Sequence, residues 1–120
     1  MIVLDANYIL RYLIDDNHEM YLEAKETIES NACLVLNEVI AEVVYVLKSV
    51  YKTPRVNIAD SLINFIETDG ISMHESNEVL IVALKLYKSK NLDFVDCYLC
   101  ALKDKYTIKT FDKKLIKCIG

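Results

Sequence analysis

The chain has 120 residues, 53% of them apolar, with 14 basic and 18 acidic side chains and a net charge of −4. That length supports one domain with a real core, and that apolar content excludes a disordered chain. No apolar run approaches the ~18–20 residues that cross a bilayer, and no basic leader precedes the first apolar stretch, so neither a membrane anchor nor a signal peptide is expected.

Ile2-Val3-Leu4 runs straight into Asp5 and reads as a short buried strand with a carboxylate at its C-terminal edge, where open α/β sheets bind ligands. Asn7 to about Asp15 follows as a helix, with Asn7 as its N-cap. Asp15-Asp16-Asn17 makes a turn, and His18 to Ser30 is a second helix with Met20, Ala24 and Ile28 at four-residue spacing. Cys33 to Leu36 is a second strand, after which Asn37 can cap a helix from Glu38 to Tyr51. Thr53-Pro54 has the pattern of an N-cap followed by a proline in the first helical position, and opens a helix to about Glu67 that stops before Asp69-Gly70. Ile71-Ser72-Met73 is a weak third strand. Ser76 or Asn77 opens a helix ending near Lys88, and Asp93 opens another ending near Tyr106. Thr107 to Thr110 reads as a last strand and Asp112 to about Ile119 as a short helix. Strands alternating with helices predict an α/β fold, a short parallel central sheet surrounded by helices, as a single domain over residues 1–120.

Four carboxylates fall where carboxylates are costly. Asp5 ends the first strand, Glu42 lies inside the apolar segment Val39 to Val44, Asp96 inside the apolar run Phe94 to Leu102, and Asp112 after the last strand. The run around Asp96 is apolar on all sides and is expected to be a buried helix. Charged groups among such neighbours are rarely buried without a partner, and only two arginines, Arg11 and Arg55, exist to serve. Two carboxylates ~4 Å apart repel by roughly 4 kcal/mol at an effective dielectric near 20. Four that converge therefore need a cation or shared protons. Oxygen donors with no histidine or cysteine among them favour Mg²⁺ or Mn²⁺. Asp93, three residues before Asp96, is well placed as a helix N-cap and is a candidate to touch metal directly or through water.

Charge is uneven along the chain. Six lysines and two aspartates leave Lys103–Gly120 at +4, while eight basic and sixteen acidic residues leave the remainder at −8. A basic segment on an acidic body can hold a polyanion, although a solvated lysine-rich surface explains the same pattern. Cys33, Cys97, Cys100 and Cys118 are expected to be reduced in a chain placed in the cytoplasm. Cys97-Tyr98-Leu99-Cys100 has the spacing of a redox pair but sits inside the Asp96 helix, where small buried packing residues are the better reading. Tyr8, Tyr12, Tyr45 and Tyr51 can stack on bases, and tyrosines at helical spacing equally serve a core or a dimer contact.

Val3 to Arg11, Glu42 near Val44-Tyr45-Val46-Leu47, Leu92 to Cys97, and Thr110-Phe111-Asp112-Lys113-Lys114 together resemble the PIN domain, and more narrowly the VapC-type toxins of bacterial and archaeal toxin–antitoxin pairs. The resemblance is ordered and spans nearly the whole chain. It implies a Mg²⁺- or Mn²⁺-dependent endoribonuclease, a homodimer, and an antitoxin partner that blocks the site. It places Asp5, Glu42, Asp96 and Asp112 in the family's acidic quartet as catalytic and metal-binding residues, with Asn7 and Thr110 orienting carboxylates or water around them. Arg11 and Lys113 become candidates to position the RNA backbone. The chain departs from the family pattern at Cys97, usually alanine, at Lys105-Tyr106, usually a glycine turn, and in ending soon after Asp112, where the family often adds another strand at the edge of the sheet. The homodimer is expected through the helices between Glu38 and Glu67, which carry more apolar surface than one sheet face can cover. A receiver-like module is the alternative from another class, and Asp60, its only counterpart for a phosphorylated aspartate, lies inside a predicted helix. A PIN-like fold that only binds RNA or protein is the third reading.

Overall fold

A computed structural model describes residues 1–120. Three short strands, β1 (Ile2–Val3), β2 (Cys33–Val35) and β3 (Ile71–Met73), form one parallel sheet in the order β1-β2-β3. Ile2 pairs with Cys33 and Cys33 with Ile71, so the three strands start level. Seven helices surround the sheet: α1 (Ala6–Leu13), α2 (His18–Ser30), α3 (Asn37–Ser49), α4 (Arg55–Ile66), α5 (Asn77–Ser89), α6 (Phe94–Ala101) and α7 (Lys113–Ile119). A parallel sheet flanked by helices is the architecture that the alternating pattern predicts, and one cluster of 24 buried apolar residues runs through it.

The helices are placed by their apolar faces. Ile9 and Leu10 of α1, Ile40, Val43, Val44 and Leu47 of α3, and Leu80, Ala83, Leu84 and Tyr87 of α5 are all buried. α5 packs against α4 and α6, α1 against α2 and α3, and α3 also against α6. Arg55, at the start of α4, lies over the Tyr87 ring at 3.8 Å, donates from Nε to the Tyr87 carbonyl, and donates from its terminal nitrogen to the Leu92 carbonyl. One guanidinium therefore ties α4 to the end of α5 and to the loop that precedes α6.

Several expectations need correction. No fourth strand forms: residues 107–111 make no backbone–backbone hydrogen bond, and β1 remains a sheet edge. With only two residues, β1 offers a short ladder, too little to offset the entropy of ordering another strand. α6 stops at Ala101 rather than near Tyr106, and a series of turns follows. It is buried on one face only, through Phe94, Cys97 and Cys100, while Val95 is exposed. Asp5, not Asn7, caps α1, because the helix already begins at Ala6. Asn37 is the first residue of α3 rather than its cap, and its amide donates to the Tyr98 hydroxyl at 2.6 Å. Pro54 occupies the N-cap of α4, one position later than the sequence pattern places it.

Cys100 and Cys118 are joined in a disulfide with their Cα atoms 6.1 Å apart, so only Cys33 and Cys97 remain free thiols. The fold brings α7 back alongside α6, and this overrides the expectation of four reduced cysteines. The apolar surplus assigned to a dimer contact is also largely internal: Val43, Leu47, Leu62, Phe65 and Ile66 are buried within the chain, leaving Val50 and Val56 exposed. No helix is long and apolar enough to cross a membrane.

Candidate active site

Two of the four candidate carboxylates are helix caps. Asp5 Oδ1 accepts the Tyr8 backbone N–H at 2.8 Å, and Asp112 Oδ1 accepts the Leu115 backbone N–H at 3.0 Å. Each bond fixes the carboxylate while leaving the second oxygen without a protein partner. Thr110 steadies the second cap, since its hydroxyl accepts the Asp112 backbone N–H at 3.0 Å. Glu42 and Asp96 project from the bodies of α3 and α6, and neither side chain makes a hydrogen bond or ion pair within the protein. The burial inferred from their apolar neighbours is not found: Asp5, Glu42 and Asp112 are exposed, and only Asp96 is half-buried. Apolar residues flank Glu42 in sequence, but they turn to the other side of α3.

The acids fall into two groups. Asp5, Asn7 and Glu42 line one groove of ≈ 290 Å³ together with Leu10 and Val46. Asp93 and Asp96 line a second, of ≈ 330 Å³, with Tyr45 and Lys48 among its walls. Successive side chains turn by about 100° around a helix, which puts Ala41, Tyr45 and Lys48 on the face of α3 toward α6 and Glu42 on the flank toward α1. Asp112 belongs with the second group. The Asp96 carboxyl is raised above the ordinary range, first by its partial burial and then by the negative charges of Asp112 and Asp93. Asp93 stands at the N-cap position of α6 but makes no cap bond, and Lys48 Nζ lies 3.8 Å from it. No three Asp, Glu, His or Cys side chains stand close enough to share one ion, so the expected convergence of all four on a single point is not found.

The donor set itself suits a hard divalent cation. It is all oxygen, two of its members have a fixed carboxylate with a free oxygen, and no arginine neutralises it. Arg55 is committed to backbone carbonyls, and Arg11 donates to Asp16 at 2.9 Å, so of the two candidates for RNA contact Arg11 is held by a carboxylate instead. Lys113, the first residue of α7, is exposed and without an acidic partner.

The model of the PIN domain matches residues 2–118. The chain belongs to the PIN domain family. Proteins of this family are in general nucleases and usually use divalent metal ions. No curated protein and no solved structure matches the chain. In this PIN domain the first groove is lined by Asp5, Ala6 and Asn7, which follow the carboxyl end of β1, the edge at which open α/β sheets hold ligands.

Sequence reasoning missed Lys48. It lies seven residues after Ala41 on the α3 face toward α6, a helical spacing that marks it as a groove residue once the packing partner is known. Of the four tyrosines that the sequence offers for base stacking, three are engaged: Tyr8 with Thr27, Tyr12 with Glu29 and the Phe65 ring, and Tyr51 with Asp16. Tyr45 alone is exposed beside the second groove. Cys97 is fully buried and burial pushes its thiol up to about 11, as a packing residue requires.

Proposed function

We propose that this PIN domain is a Mg²⁺- or Mn²⁺-dependent endoribonuclease and the toxin of a toxin–antitoxin pair. The observation that carries the reading is the family match over residues 2–118, on a chain that sets Asp5 and Glu42 at one groove and Asp96 at a second, with the charge of Asp112 felt at Asp96 and no arginine to neutralise them. Asp5, Glu42, Asp96 and Asp112 are the groups that would hold the ion. When bound, it supplies Lewis acidity, acidifying water and offsetting the charge that develops on the phosphate. The chain's own part is positional. The cap bonds at Asp5 and Asp112 aim one free oxygen of each carboxylate, Thr110 fixes the backbone of Asp112, and Asn7 offers an amide beside Asp5 and Glu42. Asp93 extends the acidic wall next to Asp96, and Lys113, exposed and next in sequence to Asp112, would engage a phosphate oxygen of the substrate strand. The reaction is assigned to the cytoplasm, as expected from the sequence, a compartment in which the Cys100–Cys118 disulfide would be subject to reduction. A cognate antitoxin would block the site, and a homodimer would use the exposed Val50 and Val56 at the α3–α4 end, where sedimentation at micromolar concentration decides between dimer and monomer.

The test is cleavage of a structured RNA by purified protein with Mn²⁺, with Mg²⁺ and with EDTA, for the wild type and for Asp5→Asn. Metal-dependent cleavage lost in the variant supports the reading. Wild-type-level cleavage by Asp5→Asn, or cleavage in EDTA, removes it. Whether a small open reading frame encoding a DNA-binding protein adjoins the gene, and whether its product inhibits cleavage on co-expression, tests the toxin assignment separately. In a receiver-like reading Asp60 should be free to accept a phosphoryl group, but it lies in the middle of α4 paired with Lys88 at 2.8 Å.

A further inference from the structure

A cleft of ≈ 290 Å³ that shares no lining residue with the two grooves lies between the loop Lys90-Asn91-Leu92 and the α7 residues Lys114, Lys117 and Cys118. Three lysines line it, and none has an acidic partner within ion-pair distance. Both walls are fixed from behind. Arg55 holds the carbonyls of Tyr87 and Leu92, which anchors the loop carrying Lys90. The Cys100–Cys118 disulfide fastens α7 to α6, which anchors Lys114 and Lys117, three residues and ~4.5 Å apart along one helix face. The acids frame the cleft in sequence: Lys90 comes three residues before Asp93, and Lys114 two residues after Asp112.

We infer that the Lys90–Lys114–Lys117 cleft is a phosphodiester subsite that holds the RNA backbone of the substrate strand at a nucleotide removed from the scissile bond. The inference rests on the nuclease reading above and adds the place where the strand is gripped. Compact ammonium groups on rigid walls bind phosphates as point charges. A chain with net charge −4 needs a localised positive site if a polyanion is to approach its carboxylates. The only apolar groups in the lining are Leu92 and Cys118, which leaves no platform for base stacking, so the subsite grips backbone and is indifferent to sequence.

The experiment compares wild type, K90Q/K114Q/K117Q, and the control K25Q/K52Q/K85Q, which removes equal charge elsewhere. A single-stranded RNA oligonucleotide is titrated in EDTA by fluorescence anisotropy over a salt series, and its cleavage and that of bis(p-nitrophenyl) phosphate are followed with Mn²⁺. The cleft variant should lose at least tenfold in RNA affinity and about 2 units of salt slope, at ~0.7 per phosphate contact for single strands. Its KM for RNA should rise while kcat for RNA and hydrolysis of the small diester, which cannot span to the cleft, stay unchanged. RNA binding by the cleft variant equal to that of wild type or of the control overturns the subsite but leaves the nuclease reading standing. Wild type that neither binds RNA nor hydrolyses either substrate removes both. Displacement of RNA by poly-glutamate at equal charge concentration identifies a general anion surface and also overturns the inference.

Discussion

Asp5 and Asp112 each do two things, and the residue scale is where they separate. A lone acid at a strand end is as readily a helix cap as a metal ligand, and here both carboxylates are caps by geometry. Capping uses one oxygen and leaves the other, so the two roles coexist. Asparagine caps as well as aspartate, whereas alanine does not. Asp5→Asn should therefore keep the melting temperature close to wild type while abolishing cleavage, and Asp5→Ala should lose about 1 kcal/mol of stability as well. Paired melting and cleavage assays check this, and a large loss of stability in Asp5→Asn would show that charge, not the cap bond, holds α1. Asp96 gives the pH-dependent counterpart. Its folded pKa is raised above 3.8 by burial and by the charges of Asp112 and Asp93, so the contribution it makes is present at low pH and lost as pH rises through the folded value. In EDTA, Asp96→Asn should gain stability over wild type as pH climbs from about 3 to 7, because the amide never acquires the charge. Melting curves that run parallel for the two proteins across that range contradict the crowding of Asp96.

The elements that sequence reveals are those whose caps and periodicity agree. α2 falls on His18–Ser30 as its turn and apolar spacing indicate, with Asn17 accepting the Met20 N–H, and α5 begins at Asn77 behind the Ser76 cap, whose hydroxyl accepts the Val79 N–H. What sequence hides is contact between distant elements. Thr107–Thr110 has strand composition but meets a two-residue edge, and nothing local forecasts that. Cys100 and Cys118 carry no motif, and their pairing follows from α7 folding back on α6. Closing a chain separation of 18 contributes about 3 kcal/mol in the loop-entropy model. Reduction, or Cys118→Ser, should lower stability by about that amount and loosen α7, while buried Cys97, with a thiol near 11, stays unalkylated at neutral pH. Melting with and without reductant, with mass spectrometry of alkylated thiols, measures both. A melting temperature indifferent to reductant would show that the bond adds nothing. Gly70 is a tight turn that the sequence marks: at φ +88°, a Cβ there would lie 3.3 Å from the Asn31 carbonyl, just before β3 begins. Gly70→Ala should cost about 1–2 kcal/mol in the same assay.

For the whole molecule, the four acids come from widely separated parts of the chain: Asp5 at the start of α1, Glu42 in α3, Asp96 in α6 and Asp112 at the cap of α7. Strand ends and apolar runs single them out in the sequence, but the separation of Asp5 and Glu42 in one groove from Asp96 in another, with Asp112 near Asp96, depends on helix orientation, which sequence does not carry. An ion that binds the set must therefore draw the α1 side and the α6–α7 side together. Binding to the folded state alone stabilises it by about 2.7 kcal/mol at a hundredfold excess over the dissociation constant, which for a domain of this size is roughly 10 °C in melting temperature. Millimolar Mn²⁺ at pH 7.5 should produce such a shift in wild type, and Asp5→Asn and Asp112→Asn should each shrink it, since they remove ligands from opposite sides. Amide hydrogen exchange should slow at the first turns of both α1 and α7. A shift lost in Asp112→Asn but intact in Asp5→Asn assigns the ion to the α6–α7 side alone, and then Asp5 and Glu42 act on substrate rather than on metal. No shift in wild type removes the metal from the set, because charges brought together by a cation must register in the stability of the fold that holds them.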